Sequence, residues 1–176
     1  MRFGTRTDLK RRWTPQAHRP KAPVQIGYQF CYLYVALCPF TGQAFAMLMP
    51  QMSKDCFRLF IELFDQHIKE QHLNQQHLNQ QHLSRPTLLI TDRATTHQSK
   101  LTEHTQIVLT HLPTACPELN PVERFFKQMR QHLANMIFAS LEHAQNKVIE
   151  VFEKLTQSTE KISQLTLFPY IQNTHS

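Results

Sequence analysis

Hydrophobic and polar positions alternate along the chain in a pattern that predicts strands first and helices afterwards. Residues 28–39 and 43–49 are rich in aromatic and β-branched side chains, which predicts two strands. The turn residues Thr41-Gly42 lie between them and Pro50 ends the second segment, so an antiparallel hairpin is expected. Because residues 28–39 are apolar at most positions, burial on both faces is predicted.

Helical spacing of apolar residues begins after the hairpin, behind Ser53, which is a favoured N-cap. The residues at this spacing are Phe57, Phe60, Ile61, Phe64 and Ile68. The helix leads into a five-residue repeat, QHLNQ-QHLNQ-QHLSR, over residues 71–85. Its histidines, His72, His77 and His82, lie about 140° apart around a helix and do not share a face. This disfavours a metal site and favours a short tandem duplication in a surface segment.

The second half of the chain continues with alternating strands and helices. Short apolar strands are predicted at 87–91 and 106–112, and residues 97–104 fit a short helix between them. An Asn-Pro pair at 120–121 predicts the start of another helix, since Asn caps helices and Pro suits the first helical position. A last helix is predicted over 140–158. The apolar faces are Val122, Phe125, Phe126, Met129 and Leu133, and then Leu141, Ala144, Val148, Val151, Phe152 and Leu155. This order predicts an α/β fold with a mixed sheet.

Composition excludes several classes of protein. The chain has 176 residues, 41% of them apolar, which is enough to bury a core in one domain or a domain with an extension. No apolar run reaches the roughly 20 residues of a transmembrane helix, and no signal peptide is expected. Three glycines exclude a P-loop and a dinucleotide-binding fingerprint. The four cysteines form no CxxC pair, so a disulfide framework and a zinc module are disfavoured and a reducing cytoplasm is expected.

The excess positive charge is concentrated at the start of the chain. Residues 1–22 hold seven basic side chains and one acidic one, whereas the remainder holds 12 of each. A basic cluster is typical of proteins that bind a polyanion such as nucleic acid, because the bound phosphates release counterions. The alternative is a solvated basic terminus.

Two carboxylates stand at positions where chemistry is common. Asp92 follows a predicted buried strand, and Glu123 lies in the first turn of a predicted helix after a proline-rich loop. Carboxylate oxygens bind Mg²⁺, and paired metal ions assist phosphodiester chemistry. The structural alternatives are that Asp92 is a turn residue and that Glu123 completes a capping box with Asn120.

Three sequence blocks resemble a known family. Residues 112–126, LPTACPELNPVERFF, closely resemble the "LPxxSPELNPxE+F" block of DDE superfamily endonucleases, the transposases of mariner-like insertion sequences of the IS six-thirty group. Residues 88–99, LLITDRATTHQS, resemble the family's strand with a catalytic Asp and the "AxxH" segment after it. Residues 2–20, RFGTRTDLKRRWTPQAHRP, resemble its "RFG…WxPxGxRP" block. The resemblance covers nearly the whole chain.

The resemblance implies a ribonuclease H-like fold and a DNA transposase that cleaves phosphodiesters and joins strands with two Mg²⁺ or Mn²⁺ ions. Asp92 and Glu123, 31 positions apart, are then the second and third catalytic and metal-binding carboxylates. His97, Asn120 and Pro121 are expected to support them. The expected DNA contacts are Arg2, Arg6, Lys10, Arg11, Arg12, Arg19, Arg124 and Lys127. The implied partner is double-stranded DNA, which includes the ends of the element and the target. A possible form of the bound protein is a homodimer. The expected location is the prokaryotic cytoplasm, at the nucleoid. No membrane and no small-molecule substrate are expected.

The family pattern is also incomplete here. The family's first catalytic Asp precedes the Arg-Phe-Gly triplet, which in this chain follows Met1 directly, so the first core strand is expected to be missing or incomplete. Asp8 is a poor substitute because it lies in the basic loop, and Arg93 beside Asp92 is expected to compete with a metal ion for the carboxylate. We divide the chain into a basic segment, 1–22, and the C-terminal part of a catalytic domain, 23–176, with 71–85 as an insertion.

Three further hypotheses follow from the incomplete carboxylate set. The expected product is a partial transposase domain that is inactive alone. It can instead be a non-catalytic DNA-binding remnant, a fragment that complements a separately made N-terminal part, or an unfolded relic whose unpaired strand edge invites aggregation.

Overall fold

The computed structural model describes residues 1–11, 13–18, 21–76, 86–92, 102–114 and 116–172, without the side chains of 74–76. The strands of this part are β1 (Arg2–Gly4), β2 (Phe30–Leu37), β3 (Ala44–Met49), β4 (Thr87–Thr91) and β5 (Ile107–His111). The helices are α1 (Lys54–Gln76), α2 (Pro121–Leu133), α3 (Leu141–Thr156), α4 (Thr159–Thr166) and α5 (Pro169–Gln172), with a 3-10 helix at Pro117–Leu119. The chain divides into two compact units, residues 1–50 with 121–176, and residues 51–120.

The first unit contains an antiparallel sheet in the order β1-β2-β3. Strands β2 and β3 form the predicted hairpin, in which Leu33 pairs with Leu48. No residue of β2 is exposed, so burial on both faces is confirmed for Phe30–Leu37, whereas Tyr28 and Gln29 of the predicted segment lie before the strand and are exposed. Gly42 in the connecting turn has a φ of +69°, and a Cβ at this position would collide with the carbonyl oxygen of Thr159. The turn therefore requires glycine both for its backbone angle and for the close approach of another segment.

Helices α2 and α3 bury the faces that their apolar spacing predicts. The buried cluster comprises Leu33, Phe125, Phe126, Met129, Leu133, Phe138, Ala144, Val148, Val151 and Ile162. Helix α3 begins after Ser140, whose hydroxyl oxygen accepts a hydrogen bond from the His143 backbone N–H at 3.0 Å. This N-cap satisfies one of the backbone donors that a helix start leaves without a partner.

The second unit joins helix α1 to a pair of parallel strands, β4 and β5. The Ser53 hydroxyl oxygen accepts a hydrogen bond from the Cys56 backbone N–H at 3.2 Å, as expected of an N-cap. Phe57, Phe60, Ile61 and Ile68 are buried on one face of the helix, as their spacing predicts. Strand β4 has the predicted bounds, but the prediction that it is buried is wrong, since Leu88 and Ile90 are 60% and 48% exposed. The predicted short helix at 97–104 lies mostly outside the described residues.

Several elements are missing from the sequence prediction. The first core strand was expected to be missing or incomplete, and Arg2–Gly4 forms the short strand β1, which pairs with β2, with Phe3 opposite Cys31. Helices α4 and α5 and the 3-10 helix are short and lack a long apolar repeat, so tertiary contacts such as that of the buried Ile162 decide their structure. Helix α1 continues into the repeat as far as Gln76. No helix among the described residues is long and apolar enough to cross a membrane.

A buried carboxylate links helix α1 to strand β5, which the sequence analysis missed. Asp65 is 4% exposed, accepts a hydrogen bond from the Gln106 backbone N–H at 2.7 Å and pairs with the Lys69 ammonium at 2.5 Å. Replacing Asp65 with Ala removes both contacts, so we expect the free energy of unfolding to fall by about 1–3 kcal/mol in urea titrations.

The matched control is Glu62→Ala, an exposed acidic residue of the same helix. Its effect should stay within about 0.5 kcal/mol, because surface substitutions away from special contacts change stability little. Equal losses in the two variants would contradict the linking role of Asp65.

Candidate catalytic carboxylates

Asp92 stands at the point where the chain leaves strand β4, and its side chain is exposed. The parallel register pairs Thr91 with His111, the last residue of β5. The backbone N–H of Leu112 donates a hydrogen bond to the carbonyl oxygen of Thr91 at 2.8 Å. Nδ1 of His111 lies 3.3 Å from the carbonyl oxygen of Asp92 and 3.2 Å from the hydroxyl oxygen of Thr91. Strand β5 thus holds the backbone on both sides of the Asp92 Cα atom.

Glu123 stands in the first turn of helix α2 and is half-buried. The approach to this helix is a 3-10 helix that ends with a hydrogen bond from the Asn120 backbone N–H to the carbonyl oxygen of Pro117, at 3.0 Å. Pro121 is the first helical residue, as predicted. The neighbouring Phe125 is fully buried and fixes the rotation of α2 about its axis. Local sequence signals therefore place the Glu123 carboxylate on a well-packed helix.

A guanidinium group lies beside the Glu123 carboxylate. Nη2 of Arg130 is 3.3 Å from Oε2 of Glu123, two helical turns away, and both side chains are 40–45% exposed. An ion pair with this exposure contributes little to stability, because water screens it and two long side chains lose rotational freedom. The pair places the Arg130 guanidinium at one carboxylate oxygen of Glu123, Oε2.

The two carboxylates supply the ligand type that Mg²⁺ prefers, which is anionic oxygen. Asp92 belongs to the compact unit of residues 51–120, and Glu123 belongs to the unit formed by residues 1–50 and 121–176. No group of three or more His, Cys, Asp or Glu residues is suitably arranged for a metal ion among the described residues. A joint site built from Asp92 and Glu123 stays a prediction, and His97 lies outside the described residues.

The predicted DNA-contacting residues fall into three groups. Arg12 and Arg19 lie outside the described residues. Arg2 and Arg124 are exposed, but their guanidinium groups lie over aromatic rings. The Arg2 guanidinium is 3.7 Å from the centre of the Phe30 ring, and the Arg124 guanidinium is 4.0 Å from the centre of the Phe168 ring. The remaining exposed residues of the prediction are Arg6, Lys10, Arg11 and Lys127. Arg2 and Arg124 thus have a packing role that the sequence analysis missed.

Backbone contacts fix part of the basic segment against its own unit. The backbone N–H of Asn135 donates to the carbonyl oxygen of Asp8 at 2.8 Å, and the backbone N–H of Lys10 donates to the Asn135 side-chain oxygen at 3.1 Å. Asn135 has a positive φ of 59°, a conformation that asparagine adopts more readily than most residues. The positive charges around Lys10 are therefore presented next to the loop that follows α2.

Comparisons with known proteins match most of the chain. The family model of the DDE superfamily endonucleases matches residues 1–145, a range that includes both carboxylates. The uncharacterized protein y4pE/y4sA of Sinorhizobium fredii is 28% identical over 140 residues, which cover 78% of this chain and 94% of that protein.

Two solved structures of Mos1 transposase share the fold. One is a paired-end complex with the left transposon end, which gives a TM-score of 0.61 at 13% sequence identity. The other is a strand transfer complex, which gives a TM-score of 0.60 at 12% sequence identity. The matches cover 95% and 99% of this chain, and the chain spans about half the length of those proteins, 49% and 50%. This likeness confirms the predicted α/β, ribonuclease H-like fold.

Proposed function

The chain belongs to the DDE superfamily of endonucleases. We propose that it forms part of the catalytic domain of a DNA transposase that an insertion sequence encodes. The observation that carries the proposal is the placement of Asp92 and Glu123 inside the matched region, one at the end of strand β4 and the other in the first turn of α2. Strand ends and helix starts hold carboxylates rigidly, which suits carboxylates that would hold metal ions for phosphodiester cleavage. Membership of the narrower IS six-thirty group stays a prediction.

DDE superfamily endonucleases generally depend on divalent metal ions. We assign Asp92 and Glu123 as residues that would hold Mg²⁺ or Mn²⁺, and a two-ion site is expected in the complete domain. Bound ions supply charge stabilisation for the attacking and leaving oxygens of the phosphodiester. The chain itself contributes orientation: His111 and Leu112 hold the backbone around Asp92, and Arg130 lies beside Oε2 of Glu123.

The proposed substrate is double-stranded DNA, at the element ends and at the target. The exposed cations of the basic segment, Arg6, Lys10, Arg11 and Lys21, would neutralise backbone phosphates, and Lys127 extends the same charge on helix α2. Such contacts carry no sequence information, so they would position the DNA and would not recognise particular ends. A homodimer on paired ends is compatible with this function.

The proposal also requires a third carboxylate, which the family places just before the Arg-Phe-Gly triplet of strand β1. We propose that it comes from a longer product of the same element or from a separately made fragment. The test begins with the DNA upstream of the Met1 codon, which is read in all three frames for an Asp-Glu pair. The extended protein and this chain are then compared on a duplex that carries the element's ends.

We expect the extended protein to nick the duplex only when Mg²⁺ is present. This chain alone should bind the duplex, with an affinity that falls steeply as salt rises, and should not nick it. Absence of nicking by the extended protein would contradict the transposase assignment. If no upstream Asp exists and DNA binding persists, the chain is a non-catalytic DNA-binding remnant instead.

A further inference from the structure

The imidazole of His111 lies against the backbone of the candidate carboxylate Asp92. Its Nδ1 atom is 3.3 Å from the Asp92 carbonyl oxygen and 3.2 Å from the Thr91 hydroxyl oxygen. A carbonyl oxygen can only accept a hydrogen bond, so Nδ1 must carry the proton for this contact to form. The Thr91 hydroxyl oxygen can accept from the same N–H. In the tautomer with the proton on Nδ1, His111 is a donor that bridges the ends of strands β4 and β5.

The two contacts from strand β5 complement each other. The N–H of Leu112 holds the carbonyl oxygen of Thr91, which belongs to the peptide unit before the Asp92 Cα atom. His111 holds the carbonyl oxygen of Asp92, which belongs to the peptide unit after that atom. Because the backbone has only two soft dihedrals per residue, fixing both neighbouring peptide planes fixes the direction of the Asp92 Cα–Cβ bond, from which the carboxylate extends. Any residue at 112 except proline can make the first contact, whereas the second needs a side chain with a donor at 111.

We propose that His111 is a positioning residue for Asp92: its Nδ1–H group holds the Asp92 backbone, and with it the Cα–Cβ bond, in the direction from which the carboxylate binds a divalent cation. This inference rests on the proposed function, in which Asp92 binds such a cation. His111 acts through the Asp92 backbone and is not itself assigned as a ligand. Partners that orient a metal ligand typically change metal affinity by about tenfold or more when they are removed.

The experiment measures Mn²⁺ binding by the full chain without any cleavage assay. The ¹⁵N-labelled protein is titrated with MnCl₂ at constant pH, and paramagnetic broadening is followed at the backbone amides of Thr91, Asp92 and Leu112. Four variants are compared with the wild type: Asp92→Asn, His111→Leu, His111→Asn and Thr110→Ala. Leucine keeps apolar volume at 111 but has no donor, and the asparagine amide restores one. Thr110 is an exposed neighbour on the same strand and serves as the control.

We expect broadening in the wild type and in Thr110→Ala, and none in Asp92→Asn. His111→Leu should need about tenfold more Mn²⁺ for the same broadening. His111→Asn should stay within about threefold of the wild type, because it keeps the donor.

The other outcomes separate the two proposals. If His111→Leu behaves as the wild type while Asp92→Asn abolishes broadening, the positioning role is wrong and the metal assignment of Asp92 stands. Equal weakening in His111→Leu and His111→Asn also overturns the positioning role, because the hydrogen bond then contributes nothing. Broadening that persists in Asp92→Asn, or that is absent from the wild type, overturns the assignment of Asp92 as a metal ligand and the inference with it.

Discussion

In a catalytically complete protein, Glu123→Gln and Asp92→Asn should each reduce Mg²⁺-dependent DNA cleavage by about a thousandfold or more. Each substitution replaces an anionic oxygen with a neutral amide of nearly the same shape, so packing is kept while a metal ligand is lost. Metal ions in such sites supply several kcal/mol of charge stabilisation in the transition state, and about 4 kcal/mol corresponds to a factor of a thousand in rate. The measurement is the rate of nicking of a labelled duplex that carries the element's end.

The control for Glu123 is Glu142→Gln, which changes an exposed acidic residue in the first turn of α3. This variant should cleave at the wild-type rate, because Glu142 also lies in the first turn of its helix but has no catalytic assignment. DNA binding in the absence of Mg²⁺ should be equal in all of these variants, since it depends on the basic side chains. Retention of cleavage by Glu123→Gln or Asp92→Asn would remove that residue from the site.

Local signals were sufficient for the parts of the site that a short stretch of sequence determines. The apolar run at 87–91 lies between Pro86 and Asp92, so the bounds of strand β4 and the place of Asp92 follow from composition. The Asn-Pro pair likewise gives the start of α2, and with it the position of Glu123 in the first turn. The resemblance to DDE endonucleases adds the chemical role, which no spacing of carboxylates determines alone.

The contacts that surround these carboxylates depend on tertiary structure. His111 is 19 positions from Asp92, and the two meet only because β4 and β5 are parallel and in register. Arg124 looks like a DNA contact in the sequence, yet its guanidinium lies over Phe168, which belongs to a segment that the hydrophobic pattern did not assign. Asp65 is a charged residue whose burial is possible only because Lys69 and the Gln106 backbone satisfy it. Hydrophobic periodicity reports which face is buried and leaves these polar partners undetermined.

Phe125→Ala should cause the largest loss of stability among single substitutions in the first unit, about 3–5 kcal/mol. Phe125 is 0% exposed, belongs to the main buried cluster and packs edge-to-face against Phe152 at 5.8 Å between ring centres. Truncation removes this aromatic contact and leaves a cavity that the sheet and helix α3 fill only in part. A loss of this size is a large fraction of the 5–15 kcal/mol that stabilises an ordinary domain, so part of the variant population is expected to be unfolded at 37 °C.

Urea unfolding followed by far-ultraviolet circular dichroism is the suitable measurement, because the single tryptophan, Trp13, is fully exposed and reports poorly on the core. The control is Ile149→Ala on helix α3, where the side chain is 42% exposed and the expected loss is below about 1 kcal/mol. Phe125→Leu should lie between the two, since it keeps most of the apolar volume but loses the ring contact. If Phe125→Ala and Ile149→Ala lose similar stability, helix α2 does not pack as described. The rigid placement of Glu123, two residues before Phe125, would then lose its physical basis.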